Sequence, residues 1–122
     1  MWQEKGPVVS LQNFPLRTNP FWNMRHAGND KYNKIDVILY GQETIGSAER
    51  SCDVQEMRHN FYNIEGGAYC EKLFELFGKE RVEKELNEFL SLDFFPRFGG
   101  GIGMTRMARA YQLMKQEQVE LV

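Results

Sequence analysis

The sequence predicts an α+β fold in which helices flank an antiparallel β-sheet. Segments rich in β-branched and apolar residues predict four strands, at residues 8–14, 35–40, 43–50 and 98–102. The turn-like pair Gly41-Gln42 separates the second strand from the third and predicts that the two form a hairpin. Apolar residues at helical spacing predict helices at residues 53–62, 69–77, 79–91 and 103–116.

The length and charge of the chain restrict what it can do alone. With 122 residues and a mass of 14.3 kDa, it is predicted to form one domain, residues 1–122. A net charge of −2 argues against strong independent nucleic-acid binding, which needs clustered lysine and arginine in excess. Any contact with RNA is therefore expected to need a further domain.

The sequence contains no predicted membrane span or export signal. Its apolar runs fall short of the ~20 residues of a membrane span, and the first residues lack an apolar signal region. Cys52 and Cys70 are too few for a disulfide framework and too far apart for a zinc site. We therefore expect a soluble cytoplasmic protein.

The first predicted strand is followed by a long connection. Residues 8–14 lie between Gly6-Pro7 and Pro15, residues that favour turns and strand ends. Residues 16–34 are rich in asparagine and predict a loop, which Phe21 and Trp22 are expected to order by packing.

The predicted hairpin carries two acidic residues, Asp36 and Glu43, on opposite sides of its turn. If the turn is centred on Gly41-Gln42, the two carboxylates lie roughly across from each other and could share a divalent cation with ATP phosphates. The alternative is that both acids are solvated or paired with basic residues. Because Asp36 interrupts an apolar strand, where an unpaired carboxylate is unfavourable, a binding site is favoured.

Arg50 lies seven residues after Glu43, an odd offset that puts the two on opposite faces of a regular strand. A β-bulge at Gly46-Ser47 would bring both side chains to one face. Glycine within a strand often marks such a bulge.

The predicted helices show ordinary core patterns. Asp53 is expected to cap the first helix. The third has apolar residues at i, i+4, i+7 and i+8, namely Val82, Leu86, Phe89 and Leu90. The last is expected to bury a face formed by Met107, Ala110, Tyr111 and Met114.

A glycine-rich stretch, with glycines at 99, 100, 101 and 103, leads into the last helix and Arg106. It fits neither a P-loop, which needs lysine after the last glycine, nor a dinucleotide fingerprint. Missing Cβ atoms allow a flat ligand to approach, and an arginine can grip phosphate, so the stretch suits a nucleotide. The alternative is a glycine-rich turn before an ordinary helix.

This stretch resembles motif 3 of the class II aminoacyl-tRNA synthetases, with Gly99, Gly101, Gly103 and Arg106 in the expected places. Asp36, Glu43 and Arg50 have the Asp-x6-Glu-x6-Arg spacing of the aspartate and asparagine branch of that family. Thr105 replaces the acid usual before the motif 3 arginine. That departure is more similar to the ammonia-dependent asparagine synthetases, which share the fold.

The resemblance implies a role for each matching residue. Asp36 and Glu43 would hold Mg²⁺ with ATP, and Gly101, Gly103, Glu43 and Arg106 would bind the nucleotide. Arg50 and Ser47 would bind the β-carboxylate or β-amide of the amino acid, and Arg50 and Arg106 would be the catalytic residues. Glu49, where the family more often has a neutral residue, leaves the choice between aspartate and asparagine open.

The resemblance spans residues 7–114 and corresponds to the C-terminal half of a catalytic core, without motifs 1 and 2. A homodimer, or a partner chain that carries those motifs, is therefore expected. The first predicted function is an ammonia-dependent asparagine synthetase. The alternatives are part of an aspartyl- or asparaginyl-tRNA synthetase, which would contact tRNA only through a further domain, and a non-catalytic relative.

Overall fold

The computed structural model describes residues 5–18 and 20–121. The strands in these residues are β1 (Val8–Pro15), β2 (His26–Gly28), β3 (Lys31–Leu39), β4 (Gln42–Arg50) and β5 (Arg97–Ile102). The α-helices are α1 (Val54–Asn63), α2 (Ala68–Phe77), α3 (Lys79–Leu90) and α4 (Met104–Glu120). None of the helices in these residues is long and apolar enough to cross a membrane.

The strands form one antiparallel sheet in the order β1-β3-β4-β5, and the short β2 also pairs with β3. The predicted α+β fold with an antiparallel sheet is therefore confirmed. All four predicted strands and all four predicted helices are present, with ends shifted by a few residues. The predicted N-cap is also present, since the Asp53 carboxylate accepts hydrogen bonds from the backbone N–H groups of Gln55 and Glu56.

The prediction of a loop at residues 16–34 was wrong in its second half. β2 and the first four residues of β3 form a hairpin there. Its turn places Gly28, Asn29 and Asp30 at positive φ, a conformation that glycine and asparagine adopt more readily than other residues. Tyr32 is buried between exposed neighbours, which is the alternation of a half-buried strand.

The turn between β3 and β4 lies one residue earlier than predicted. Leu39 pairs with Gln42, so Tyr40 and Gly41 are the two turn residues, both at positive φ. Tyr40 is held there by tertiary contacts. Arg109 Nη1 donates to the Tyr40 carbonyl at 3.2 Å, and the Tyr40 hydroxyl donates to Glu117 at 2.9 Å. The turn is thus fixed to α4.

The predicted β-bulge exists, but at Thr44 rather than at Gly46-Ser47. Ile38 pairs with Glu43 and Val37 pairs with Ile45, so Thr44 is the extra residue. Beyond the bulge the strand alternates regularly. The face we call the site face carries Lys34, Asp36, Gly46, Ala48, Arg50, Gly99 and Gly101; the back face carries Ile35, Ser47, Glu49, Phe98, Gly100 and Ile102.

The main hydrophobic core lies among α1, α2 and α3. Its buried members are Met57, Phe61, Cys70, Val82, Leu86 and Leu90. Trp22 packs edge-on against Phe61 and Phe89, as expected for an aromatic residue that orders its loop. In α4 only part of the predicted buried face is buried: Ala110 is buried, whereas Tyr111 is 54% and Met114 38% exposed. Among the described residues, nothing packs over the outer part of that face.

Candidate functional site

The site face has a floor of small residues where β4 meets β5. Gly46 pairs with Gly101 and Ala48 pairs with Gly99, so four residues with at most a methyl group lie side by side. The glycine-rich stretch and the hairpin, which are far apart in sequence, together form this surface. A flat ligand could rest directly on the backbone here.

The glycines in β5 differ in what an added side chain would meet. A Cβ added to Gly100 would lie 2.8 Å from the Gly46 carbonyl oxygen and 2.8 Å from Ser47 Cβ, so the fold itself excludes a side chain there. A Cβ added to Gly99 would lie 2.7 Å from Arg50 Nε. A Cβ added to Gly101 would meet no described atom within 4 Å. The space above Gly101 is therefore open to a ligand.

Asp36 and Glu43 converge at Gly46. A Cβ added to Gly46 would lie 3.0 Å from Glu43 Oε1 and 3.5 Å from Asp36 Oδ1, so the two oxygens flank one glycine. Asp36 is buried, and its Oδ1 has no hydrogen-bond partner among the described residues. A buried carboxylate oxygen without a donor is unfavourable unless a cation or a ligand binds it.

These observations fit a divalent cation held together with phosphate oxygens. Mg²⁺ binds through one or two carboxylates and completes its shell with phosphate oxygens and water. The unpaired Asp36 oxygen and the neighbouring Glu43 oxygen supply that number of ligands. Across residues 5–18 and 20–121, no group of three or more His, Cys, Asp or Glu side chains that could hold a metal ion occurs.

Lys34 is a residue of this site that the sequence interpretation missed. It lies two residues before Asp36 on the same face of β3, and its Nζ donates to Asp36 Oδ2. The same ammonium lies 3.9 Å from the centre of the Phe14 ring. The signal was available in the sequence, because residues at i and i+2 of a strand share a face.

Arg50 covers one end of the floor. Its Nε lies 2.7 Å from the position that a Gly99 Cβ would occupy, so the guanidinium lies over Gly99. Its Nη1 donates to Asn23 Oδ1 at 3.5 Å, a long hydrogen bond, and its other side-chain donors have no hydrogen-bond partner among the described residues. Arg50 and Glu43 are on the same face, which confirms the predicted effect of a bulge.

Arg106 borders the floor at the other end, where α4 begins. Its Nη1 donates to the Glu43 carbonyl at 2.8 Å, and its side chain passes Gly103. The Gly103 N–H donates to the Thr44 carbonyl at 2.8 Å, which fixes the start of α4 against the bulge. Arg106 is exposed, so its guanidinium is accessible to an anion.

Two residues considered at the sequence level lie on the back face. Ser47 donates to the Ile35 carbonyl at 3.3 Å, so the structure does not bring it together with Arg50. Glu49 accepts hydrogen bonds from Arg25 at 2.5 Å and Asn33 at 2.7 Å. These bonds, that from Asn33 foremost, hold the pKa of the Glu49 carboxyl below its usual value. Glu49 therefore faces away from the floor.

The charges of the site favour an anion that binds as a complex with a metal ion. Three cationic side chains, Lys34, Arg50 and Arg106, border the floor with two carboxylates, although the whole chain has a net charge of −2. A polyphosphate could contact the arginines directly and the acids through a metal ion.

Several solved aminoacyl-tRNA synthetases contain a similar arrangement of strands and helices. The Entamoeba histolytica aspartyl-tRNA synthetase matches with a TM-score of 0.60 and 23% identity, over 88% of this chain and 20% of its own. A putative aspartyl-tRNA synthetase from Leishmania major Friedlin matches with a TM-score of 0.64 and 18% identity, over 88% of this chain and 19% of its own. The Pyrococcus horikoshii asparaginyl-tRNA synthetase matches with a TM-score of 0.60 and 19% identity, over 87% of this chain and 23% of its own.

The chain shares the fold of part of these synthetases. This confirms the predicted resemblance at the level of the fold, and the chain spans about a fifth of the length of each. A further structure, of the Entamoeba histolytica asparaginyl-tRNA synthetase with asparaginyl-adenylate, matches with a TM-score of 0.57, at 17% identity over 85% of this chain and 22% of its own. Neither a protein-family model nor a curated protein sequence matches the chain.

Proposed function

We propose that this chain forms the nucleotide-binding part of a site that activates aspartate or asparagine with ATP. The observation that carries the proposal is the convergence of Asp36 Oδ1 and Glu43 Oε1 at Gly46, beside an open glycine floor bordered by Arg50 and Arg106. Support also comes from the structural likeness to an asparaginyl-tRNA synthetase that was solved with an adenylate of its amino acid.

In the proposed reaction, a carboxylate oxygen of the amino acid attacks the α-phosphorus of ATP, and pyrophosphate leaves. Bound Mg²⁺ would neutralise phosphate charge and align the nucleotide. Arg106 would hold the nucleotide from the α4 side, and Arg50 would hold the carboxylate or amide of the amino acid from the opposite end. The chain would catalyse by alignment and charge neutralisation, without a protein nucleophile.

Within this chemistry, we propose an ammonia-dependent asparagine synthetase first. The glycine opening from Gly99 to Gly103 and the neutral Thr105 support this choice. Ammonia would attack the activated β-carboxyl carbon of aspartate, forming asparagine and releasing AMP. The second candidate, part of an aspartyl- or asparaginyl-tRNA synthetase, is supported by the structural neighbours.

The proposed site is part of a larger one. β5 is at the edge of the sheet in the described residues, and Phe98 and Ile102 on its back face are 70% and 54% exposed. Exposed apolar residues on an unpaired edge strand favour pairing with another strand. We therefore propose that a second copy, or a partner that carries the remaining synthetase motifs, covers β5.

The first test is calorimetric titration of the chain with Mg·ATP, with and without aspartate. We expect saturable binding of Mg·ATP, and we expect Arg106→Ala and Glu43→Ala each to abolish it. Arg81→Ala is the matched control, because Arg81 is an exposed arginine that pairs with Glu85 on α3, away from the floor. Binding that survives both site variants, or no binding by a folded chain, would contradict a nucleotide site in this chain.

Product analysis then separates the candidate functions. The chain, with its partner if one is found, is incubated with ATP and aspartate, and AMP, pyrophosphate and asparagine are quantified. Asparagine that depends on ammonia supports the synthetase, whereas transfer of the amino acid to tRNA supports the second candidate. Nucleotide binding without either product would indicate the non-catalytic relative.

A further inference from the structure

The contact between Lys34 and Asp36 gives the two oxygens of the Asp36 carboxylate different surroundings. Lys34 Nζ donates to Oδ2 of Asp36, while Oδ1 faces Gly46 and Glu43 without a partner among the described residues. One carboxylate oxygen is therefore neutralised by the protein itself. Only the other remains available to an external cation.

Lys34 is held in this position from two sides. Its side chain is 20% exposed, its ammonium lies 3.9 Å from the centre of the Phe14 ring, and Asp36 lies on its other side. A cation between an aromatic face and a buried carboxylate is partly desolvated, and its attraction to both partners is stronger than in water. The contact is therefore a feature of the folded site and differs from a solvated surface ion pair.

We propose that Lys34 is a positioning residue that acts as an internal counter-cation of Asp36 and prevents tight binding of a divalent metal in the absence of nucleotide. The proposal rests on the proposed function, in which Asp36 and Glu43 hold Mg²⁺ with ATP. With Lys34 in place, the acidic pair lacks the charge to retain a divalent ion alone. Phosphate oxygens of the nucleotide must complete the site, so metal and nucleotide bind together.

The test measures metal binding without nucleotide. Mn²⁺ serves as the probe, and free Mn²⁺ is counted by electron paramagnetic resonance during titration of the chain. Lys34→Met removes the charge and keeps an unbranched side chain against Phe14. It is expected to raise the affinity for Mn²⁺ at least tenfold, because a unit positive charge next to the ligand oxygen is lost.

Three further variants make the result specific. Lys31→Met removes the same charge from an exposed position at the start of β3 and is expected to leave the affinity unchanged. Lys34→Arg keeps a counter-cation and is expected to remain near the unmodified affinity. Adding Asp36→Asn to Lys34→Met is expected to abolish the gain, since the new affinity depends on that carboxylate.

An affinity that is unchanged or lower in a folded Lys34→Met chain would overturn the proposal. So would a gain of equal size in Lys31→Met, because the effect would then come from net charge. Failure to bind Mn²⁺ in every variant would overturn it as well. The titration with Mg·ATP reports separately on the proposed function, so the two failures can be told apart.

Discussion

Each face of the sheet contains a buried carboxylate, and the two carboxylates differ in their hydrogen bonding. Asp36 on the site face is 6% exposed and Glu49 on the back face is 8% exposed. Both Glu49 oxygens accept hydrogen bonds, from Arg25 and Asn33, whereas Asp36 has one bonded oxygen and one without a partner in the described residues. The two acids are similarly buried, but only Asp36 has a carboxylate oxygen that lacks a hydrogen-bond donor in the described residues. Glu49 thus has the contacts of a structural residue, whereas Asp36 has an oxygen that a ligand could use.

The bulge at Thr44 determines which acidic residue joins Asp36 on the site face. It allows Glu43 and Arg50, seven residues apart, to share the face of Asp36, while Ser47 and Glu49 remain on the other face. Glu49 therefore faces away from the glycine floor.

The largest expected effect separates the two acids by ligand binding. Asp36→Asn is expected to weaken Mg·ATP binding by at least about tenfold, since it removes the negative charge of a proposed metal ligand. Glu49→Gln, a change of the same kind on the back face, is expected to leave binding within about twofold. Calorimetric titration of both variants checks this, and similar losses in both would contradict the assignment of the faces.

The next effect separates two neighbouring glycines of β5. Gly100→Ala is expected to destabilise the fold by about 2 kcal/mol, because its Cβ would overlap the backbone of β4. Gly101→Ala, which meets open space on the site face, is expected to retain stability but to weaken nucleotide binding. Denaturant unfolding and titration of both variants test this. Loss of stability in Gly101→Ala would show that the space above it is not free.

A smaller effect is expected from removing the back-face acid. Glu49→Ala deletes two hydrogen bonds of a buried carboxylate and is expected to lower the free energy of unfolding by about 1 kcal/mol. Ser47→Ala is the companion variant, expected to leave both stability and aspartate binding nearly unchanged. A marked loss of aspartate binding in Ser47→Ala would instead restore the sequence-based assignment of Ser47 to the substrate.

The smallest effect is a pH dependence of stability. The hydrogen bonds from Asn33 and Arg25 hold the pKa of Glu49 below its value in the unfolded chain, near 4.3. Its stabilising contribution is therefore complete above that value and is lost as the pH falls through the lower folded pKa. Glu49→Gln should lose less stability than the unmodified chain between pH ~6 and ~3. Equal losses would mean that other acids dominate.

Much of this arrangement could be predicted from local sequence. Residue type and spacing can be taken directly from the sequence. The glycines before Arg106 and the spacing of Asp36, Glu43 and Arg50 therefore indicated these residues as candidates for a site. The pairing of the hairpin with β5 was not predicted, because register depends on tertiary contacts. The floor that Gly46 and Gly101 form together became apparent only in the structure.

The sequence-based predictions of the β3–β4 turn, the start of β3 and the buried face of α4 were partly wrong. In each case the cause is a physical feature that short-range sequence patterns do not reveal. Tyr40 is an unusual turn residue at positive φ, stabilised by Arg109 and Glu117 from a helix far along the chain. Lys34 was predicted to be a loop residue, because the predicted strand began at residue 35 whereas β3 begins at Lys31. Tyr111 and Met114 follow helical periodicity, but the described part of the fold offers no surface to cover them.

The pairing of β4 with β5 has a consequence for how the site assembles. β3 and β4 form a local hairpin, but Arg97 pairs with Arg50 only after the chain has passed through α1, α2 and α3. Those helices have a core of their own and can shorten the effective loop once they are folded. The sequence separation of these contacts therefore predicts that Asp36 and Glu43 come together before Arg106 reaches them.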